Sequence, residues 1–173
     1  RAAGTFGGSY LETGTGIILD EHRRCAKEIA ELFINIADYK GLKICSGKCE
    51  SEPFKAIKNR LMFFDVSNPD TKSFKKVNKG EISVINKLLK RLSAVGYDLQ
   101  RDVGIITPYK EQEATLITQF GEMLWHTPNL AKIGTVHKFQ GVEFKVVIFS
   151  SVCSREQDSL KFINQSPSLI NVA

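Results

Sequence analysis

No run in this 173-residue chain approaches the roughly 18 consecutive apolar residues that a membrane-spanning helix needs. The first residues also lack the basic, apolar and small-residue succession of a secretory signal. A soluble, intracellular protein is expected, cytoplasmic or nuclear, with no membrane partner. Cysteine is sparse, with Cys25, Cys45, Cys49 and Cys153 the four present. Cys45 and Cys49, taken with His22 and Cys25, have a ligand-like spacing. However, His22 and Cys25 fall in or before a helical stretch and Cys45 ends an apolar run, so idle or buried thiols are expected and no metal site is assigned. No acidic cluster of the kind a metal-dependent nuclease uses stands at the candidate strand ends. A phosphate-cradling loop is missing as well: Gly14-Thr15-Gly16 is not followed by Gly-Lys-Ser/Thr.

What is present is ordinary for a folded domain. Hydrophobic residues make up 42% of the chain and charged ones 25%, which excludes bulk disorder. Lys and Arg outnumber Asp and Glu by 24 to 19, a formal net charge of +5 that leans toward a polyanionic partner. The basic groups, such as Lys55/Lys58/Arg60 and Lys87/Lys90/Arg91, are dispersed and read as solvated faces.

Residues 1–16 are rich in Gly, Ser and Thr and read as a loop. Ile29, Leu32, Phe33 and Ile36 fall at helical spacing between Arg24 and Ala37, and Leu42 to Cys45 reads as a short strand. Leu61 to Val66 is a further strand candidate. Gly80 to Val95 is the clearest helix, with Ile82, Ile85, Leu88, Leu89, Leu92 and Val95 on one face and Gly96 as its stop. Val103 to Thr107 then reads as a strand, with Thr107 as N-cap and Pro108 at the first position of the helix that follows. Ala131 to Val136 and Phe144 to Val152 complete the strands; the nearly unbroken apolar run Val146 to Phe149 predicts burial on both faces. Alternating strands and helices predict an α/β fold with a mostly parallel sheet flanked by helices, whose ligands bind at the carboxyl ends of the strands.

Three segments carry a family resemblance. Ile105-Ile106-Thr107-Pro108-Tyr109-Lys110-Glu111-Gln112 resembles the "ITPY…Q" segment of superfamily 1 helicases. Gly134 to Phe144, with Thr135-Val136-His137-Lys138-Phe139-Gln140-Gly141-Val142-Glu143 at its centre, is similar to their "T-V-x-x-F-Q-G-x-E" motif V. Leu19 to Arg24 is similar to the "L-x-x-Q-Y-R" segment that opens the second motor domain. Asn78-Lys79-Gly80-Glu81 adds an "N-x-x-E" pattern. The segments occur in family order, and the branch they resemble contains the nonsense-mediated-decay helicase and senataxin.

The resemblance implies a RecA-like P-loop NTPase fold over residues 17–173, the second motor domain of an ATP-dependent DNA or RNA helicase. Asn171-Val172-Ala173 resembles the opening of motif VI, so the domain is expected to be cut there. By resemblance Arg23 is the catalytic arginine that reaches the γ-phosphate, and Gln140, Gly141 and Glu143 join it at the nucleotide. Thr107, Pro108, Tyr109, Thr135, His137 and Lys138 are implied to contact single-stranded DNA or RNA. ATP and Mg2+ are the implied cofactors, with the metal ligands on a first motor domain, the implied partner. The chain alone, without a Walker lysine, is expected to be inactive as an ATPase. The competing reading is a non-enzymatic nucleic-acid-binding or regulatory module that kept the motor fold.

Overall fold

The computed structural model describes residues 21–22, 26–37, 43–45, 59–66, 76–127, 131–139 and 143–152. They belong to two compact units, residues 1–63 and 64–173. Among the described residues no helix is long and apolar enough to cross a membrane.

The first unit holds two very short parallel strands, β1 (Glu21–His22) and β2 (Lys43–Ile44), joined through helix α1 (Lys27–Ala37). Ala26 and Ala30 are buried, while Ile29 and Leu32 of the expected apolar stripe are half-buried. The Lys27–Glu31 pair on α1 is exposed at both ends and so contributes only about 0.3–0.5 kcal/mol. Leu61 to Val66 is not a strand: the segment joins no ladder among the described residues, and Met62, Phe63 and Phe64 stay exposed. Apolar character alone does not make a strand where no neighbour satisfies its backbone.

The second unit is built on a three-stranded parallel sheet in the order β4-β3-β5. Helix α2 (Lys79–Ala94) precedes it and buries Ile82, Ile85, Leu89 and Leu92, the stripe its 3.6-residue period dictates. Gly96 adopts φ +96° behind it, and Tyr97 N–H closes back on the Leu92 carbonyl at 3.0 Å, a left-handed stop open to glycine at little cost. A one-turn helix α3 (Leu99–Asp102), capped by the Asp98 side chain, leads into β3 (Val103–Thr107). After β3 come α4 (Lys110–Phe120), β4 (Ile133–Thr135), a 3₁₀ turn (Val136–Phe139) and β5 (Val146–Phe149).

β3 lies in the middle and is buried at all five residues. α4 packs against β3 and β4, and Leu116 and Phe120 bury its apolar side. This is a mixed α/β arrangement with a parallel sheet, consistent with the RecA-like fold. β5 departs from expectation. Val146 and Ile148 are half-buried, and Val147 and Phe149 are exposed. Among the described residues β5 pairs only with β3, so its apolar run does not acquire the two-sided cover that the middle strand has.

The amino ends of β3 and β5 are joined by charge. Asp102 is buried and accepts from Arg101 Nε at 2.9 Å and Lys145 Nζ at 3.1 Å. Arg101 is the main cause that holds its carboxyl down at about 2, with Lys145 adding to it and burial opposing. A depressed carboxylate contributes stability that is complete above its unfolded value of 3.8 and is lost as pH falls through about 2. Because both cations are more than half exposed, solvent screening reduces the expected contribution to about 1–2 kcal/mol. Urea unfolding at about pH 4.5 and about pH 2 should therefore show a larger acid loss in the wild type than in Asp102→Asn. Equal losses would remove Asp102 from the acid response.

Candidate functional site

Parallel pairing sets the first part of the site. Thr107 lies opposite Thr135 in the β3–β4 register, so the last residues of two neighbouring strands stand side by side at the carboxyl rim. Thr107 is fully buried and Thr135 half-buried. The helix after β3 does not begin where the Thr-Pro pair suggested. Its N-cap is Tyr109, still extended at φ −116° and ψ 130°, so Thr107 and Pro108 lie outside the helix. Thr107 is held extended by the ladder to β4, and the residue before a proline is itself disfavoured from helical backbone. The Thr107 hydroxyl accepts a long 3.5 Å bond from Tyr109 N–H.

Tyr109 supplies no side-chain acceptor to the first turn of α4. The helix thus opens on the rim with backbone N–H groups and the positive end of its dipole, a donor set suited to phosphate. The Tyr109 ring is half-buried and carries the Lys76 ammonium 5.8 Å from its centroid. The 3₁₀ turn after Thr135 places Lys138 in a bond of 2.6 Å to Glu113 of α4. Glu113 is buried and Lys138 is 55% exposed, which leaves ammonium protons facing solvent. His137 lies in the same turn, its side chain outside the described residues.

A buried polar network supports the rim from behind. Gln112 of α4 accepts from Asn78 N–H at 3.0 Å and donates to Ser150 Oγ at 2.9 Å. Ser150 Oγ in turn donates to Glu81, which also accepts from Val152 N–H at 2.9 Å and, more weakly, from Ser151 Oγ. Asn78 caps α2 by accepting from Glu81 N–H at 3.1 Å. The start of α2, the first turn of α4 and the end of β5 are therefore tied into one cluster. Burial pushes the Glu81 carboxyl up, against the hydrogen bonds from Ser150 and Val152 that pull it down.

The nucleotide residues implied by resemblance are less fully covered. Arg23, Gln140 and Gly141 lie outside the described residues. Glu143 is described and exposed. It stands three residues before Val146, which pairs with Val103 at the first position of β3. Glu143 therefore sits toward the amino ends of the strands, opposite Thr107 and Thr135. Thr135 and Glu143 thus stand toward opposite ends of the strands.

Several residues here carried no sequence signal. Glu113 was not separable from other acids of a helical face. His126 accepts from both Lys132 N–H and Ile133 N–H at 3.1 Å, fixing the entry to β4. Burial first, and the Lys138 charge second, lower its pKa, with Glu113 opposing. Cys45 is a free thiol, and among the described residues no group of three or more His, Cys, Asp or Glu could hold a metal.

A parallel α/β sheet with two polar strand ends at one rim defines a class, and the chain belongs to the AAA domain family, whose profile matches residues 9–173. It is similar to the Regulator of nonsense transcripts 1 homolog of Drosophila melanogaster, 32% identical over 100 residues, 56% of this chain and 8% of that protein. The Arabidopsis thaliana homolog of the same regulator is 28% identical over 124 residues, 68% of this chain and 10% of that protein. The NFX1-type zinc finger-containing protein 1 homolog of Caenorhabditis elegans is 32% identical over 102 residues, 56% of this chain and 4% of that protein. The chain thus spans a tenth or less of these relatives. Family and relatives together support a domain of superfamily 1 helicase type.

Proposed function

We propose that this chain is the second, C-terminal motor domain of an ATP-dependent superfamily 1 helicase or translocase acting on DNA or RNA inside the cell. The observation that carries the reading is the Thr107–Thr135 pair at the carboxyl rim, beside the uncapped start of α4. The half-buried Thr135 hydroxyl and the backbone N–H groups at the start of α4 suit the sugar-phosphate backbone of a single strand and ignore base identity, while the fully buried Thr107 holds the rim behind them. Tyr109 offers a ring for a base, and His137 and Lys138 extend the polar track beyond Thr135. At the amino end, Glu143 accepts hydrogen bonds from a ribose, with Gln140 and Gly141 leading up to it. Arg23 supplies the cation for the γ-phosphate. ATP and Mg2+ are the cofactors, the metal held by a first motor domain that completes the cleft.

Fluorescence anisotropy of the purified chain with labelled single-stranded DNA and RNA tests the strand track. Affinity should fall steeply between 50 and 200 mM salt, roughly tenfold for each pair of phosphates contacted. Thr135→Val keeps the β-branched shape but removes the hydroxyl, and should weaken binding about 3–10-fold. Binding that ignores salt, or that Thr135→Val leaves unchanged, rules out this track.

A further inference from the structure

Lys132 is only 6% exposed, yet no carboxylate among the described residues pairs with it. Its ammonium instead lies over the Phe144 ring, 4.9 Å from the centroid. Burying most of a lysine side chain is costly, and the face of one ring compensates only part of that cost. A leucine or methionine would serve stability at least as well. What the cation adds is direction: it holds one face of the ring toward itself, where an aliphatic neighbour would accept many ring orientations.

The ring is constrained on its other sides too. It lies on Gly104 of β3 so closely that a Cβ there would stand 2.5 Å from Phe144 Cδ2. Beside it, the Phe139 ring packs at 5.6 Å and 58°. Phe139 is itself buried and seated on Gly134 of β4, where a Cβ would approach Phe139 Cε2 to 3.0 Å. By register Gly104 and Gly134 share one face of the sheet, since Gly134 pairs with Ile106 two residues beyond Gly104. Two glycines on neighbouring strands thus seat the two phenylalanines that bracket Gln140 to Glu143 in sequence.

We propose that Lys132 is a positioning residue for nucleotide recognition: it locks Phe144 onto Gly104 and so fixes the adjoining Glu143 for the ribose hydroxyls of a bound nucleotide. This rests on the reading of Glu143 as the ribose acceptor. Lys132 acts through Phe144 and touches no nucleotide itself.

The test uses the full-length polypeptide that carries this chain, with ATPase rate measured against ATP at saturating single strand. Lys132→Met keeps the stem and removes the cation. It should raise KM for ATP roughly tenfold, the range of a desolvated cation–ring contact, with kcat and nucleotide-free strand affinity within about twofold. Lys132→Arg restores a cation over the ring and should restore KM. Glu143→Ala should raise KM similarly, and the double variant with Lys132→Met should add little, because both act through one group. If Glu143→Ala leaves KM unchanged, the ribose reading fails and this inference with it. If Glu143→Ala raises KM but Lys132→Met does not, the inference alone is overturned. The same holds if Lys132→Met lowers kcat and strand affinity together, or if arginine fails to rescue. Should Lys132→Met not fold, Phe144→Leu must reproduce the KM-only rise; a wild-type KM there overturns the proposal.

Discussion

Gln112→Ala is expected to lower the unfolding free energy by about 2–5 kcal/mol, a large share of the roughly 5–15 kcal/mol that a domain commonly has. Gln112 is fully buried, and its amide serves two partners that are buried as well. Its oxygen takes the Asn78 N–H and its nitrogen reaches Ser150. Truncation leaves the Asn78 N–H without an acceptor inside the protein, at about 1–3 kcal/mol. Ser150 keeps its bond to Glu81 and so adds less. The vacated volume adds a cavity cost on the order of 1–2 kcal/mol. The urea midpoint should fall at constant slope, since the exposed surface of the unfolded chain hardly changes. Gln119→Ala, exposed on the same helix, is the control and should stay within about 0.5 kcal/mol. If the two variants unfold alike, the network does not hold the rim together.

The same network shows how far local pattern reaches. Asn78, Glu81 and Gln112 stand out in the sequence as members of motifs, but the motifs do not say what the residues do. Gln112 bonds to a residue 34 positions earlier and Glu81 to one 69 positions later. No spacing rule joins such partners; only the chain order of a parallel sheet brings them together. By contrast, α2 was legible almost to the residue, because a 3.6-residue stripe and a stop glycine are local signals. The register of Thr107 against Thr135 follows from two strands ending at one rim.

Where local rules misled, a tertiary contact won. Thr107 and Pro108 have the chemistry of an N-cap and first helical residue, yet pairing with β4 keeps Thr107 in the strand and delays the helix by two residues. The apolar run of β5 records hydrophobicity but not cover, so it could not report that Val147 and Phe149 stay exposed. Lys138, implied by resemblance to contact a strand, also pairs with the buried Glu113. Its substitution therefore carries a stability cost that any binding measurement has to separate. Lys132 and His126 had no signal at all, because a backbone contact and a ring contact leave no periodicity.

Arg23→Ala, made in the full-length polypeptide, is expected to reduce strand-stimulated ATP hydrolysis about 10³-fold, the lower range for an arginine acting on a transferring phosphoryl group. Arg23 directly follows β1 in sequence, and resemblance assigns it to the γ-phosphate. Charge spreads over the phosphoryl oxygens in the transition state, and a fixed guanidinium meets it with several donors in one plane. Because that contact is strongest in the transition state, kcat should fall far more than KM for ATP rises. Arg23→Lys keeps the charge but loses the planar fork, and should give an intermediate rate. Strand affinity measured without nucleotide should not move, since neither variant alters Thr107, Tyr109, Thr135 or Lys138. An unaltered turnover in Arg23→Ala would remove this arginine from the chemistry. A loss of strand affinity equal to the loss of turnover would instead assign it to the track that the strand follows.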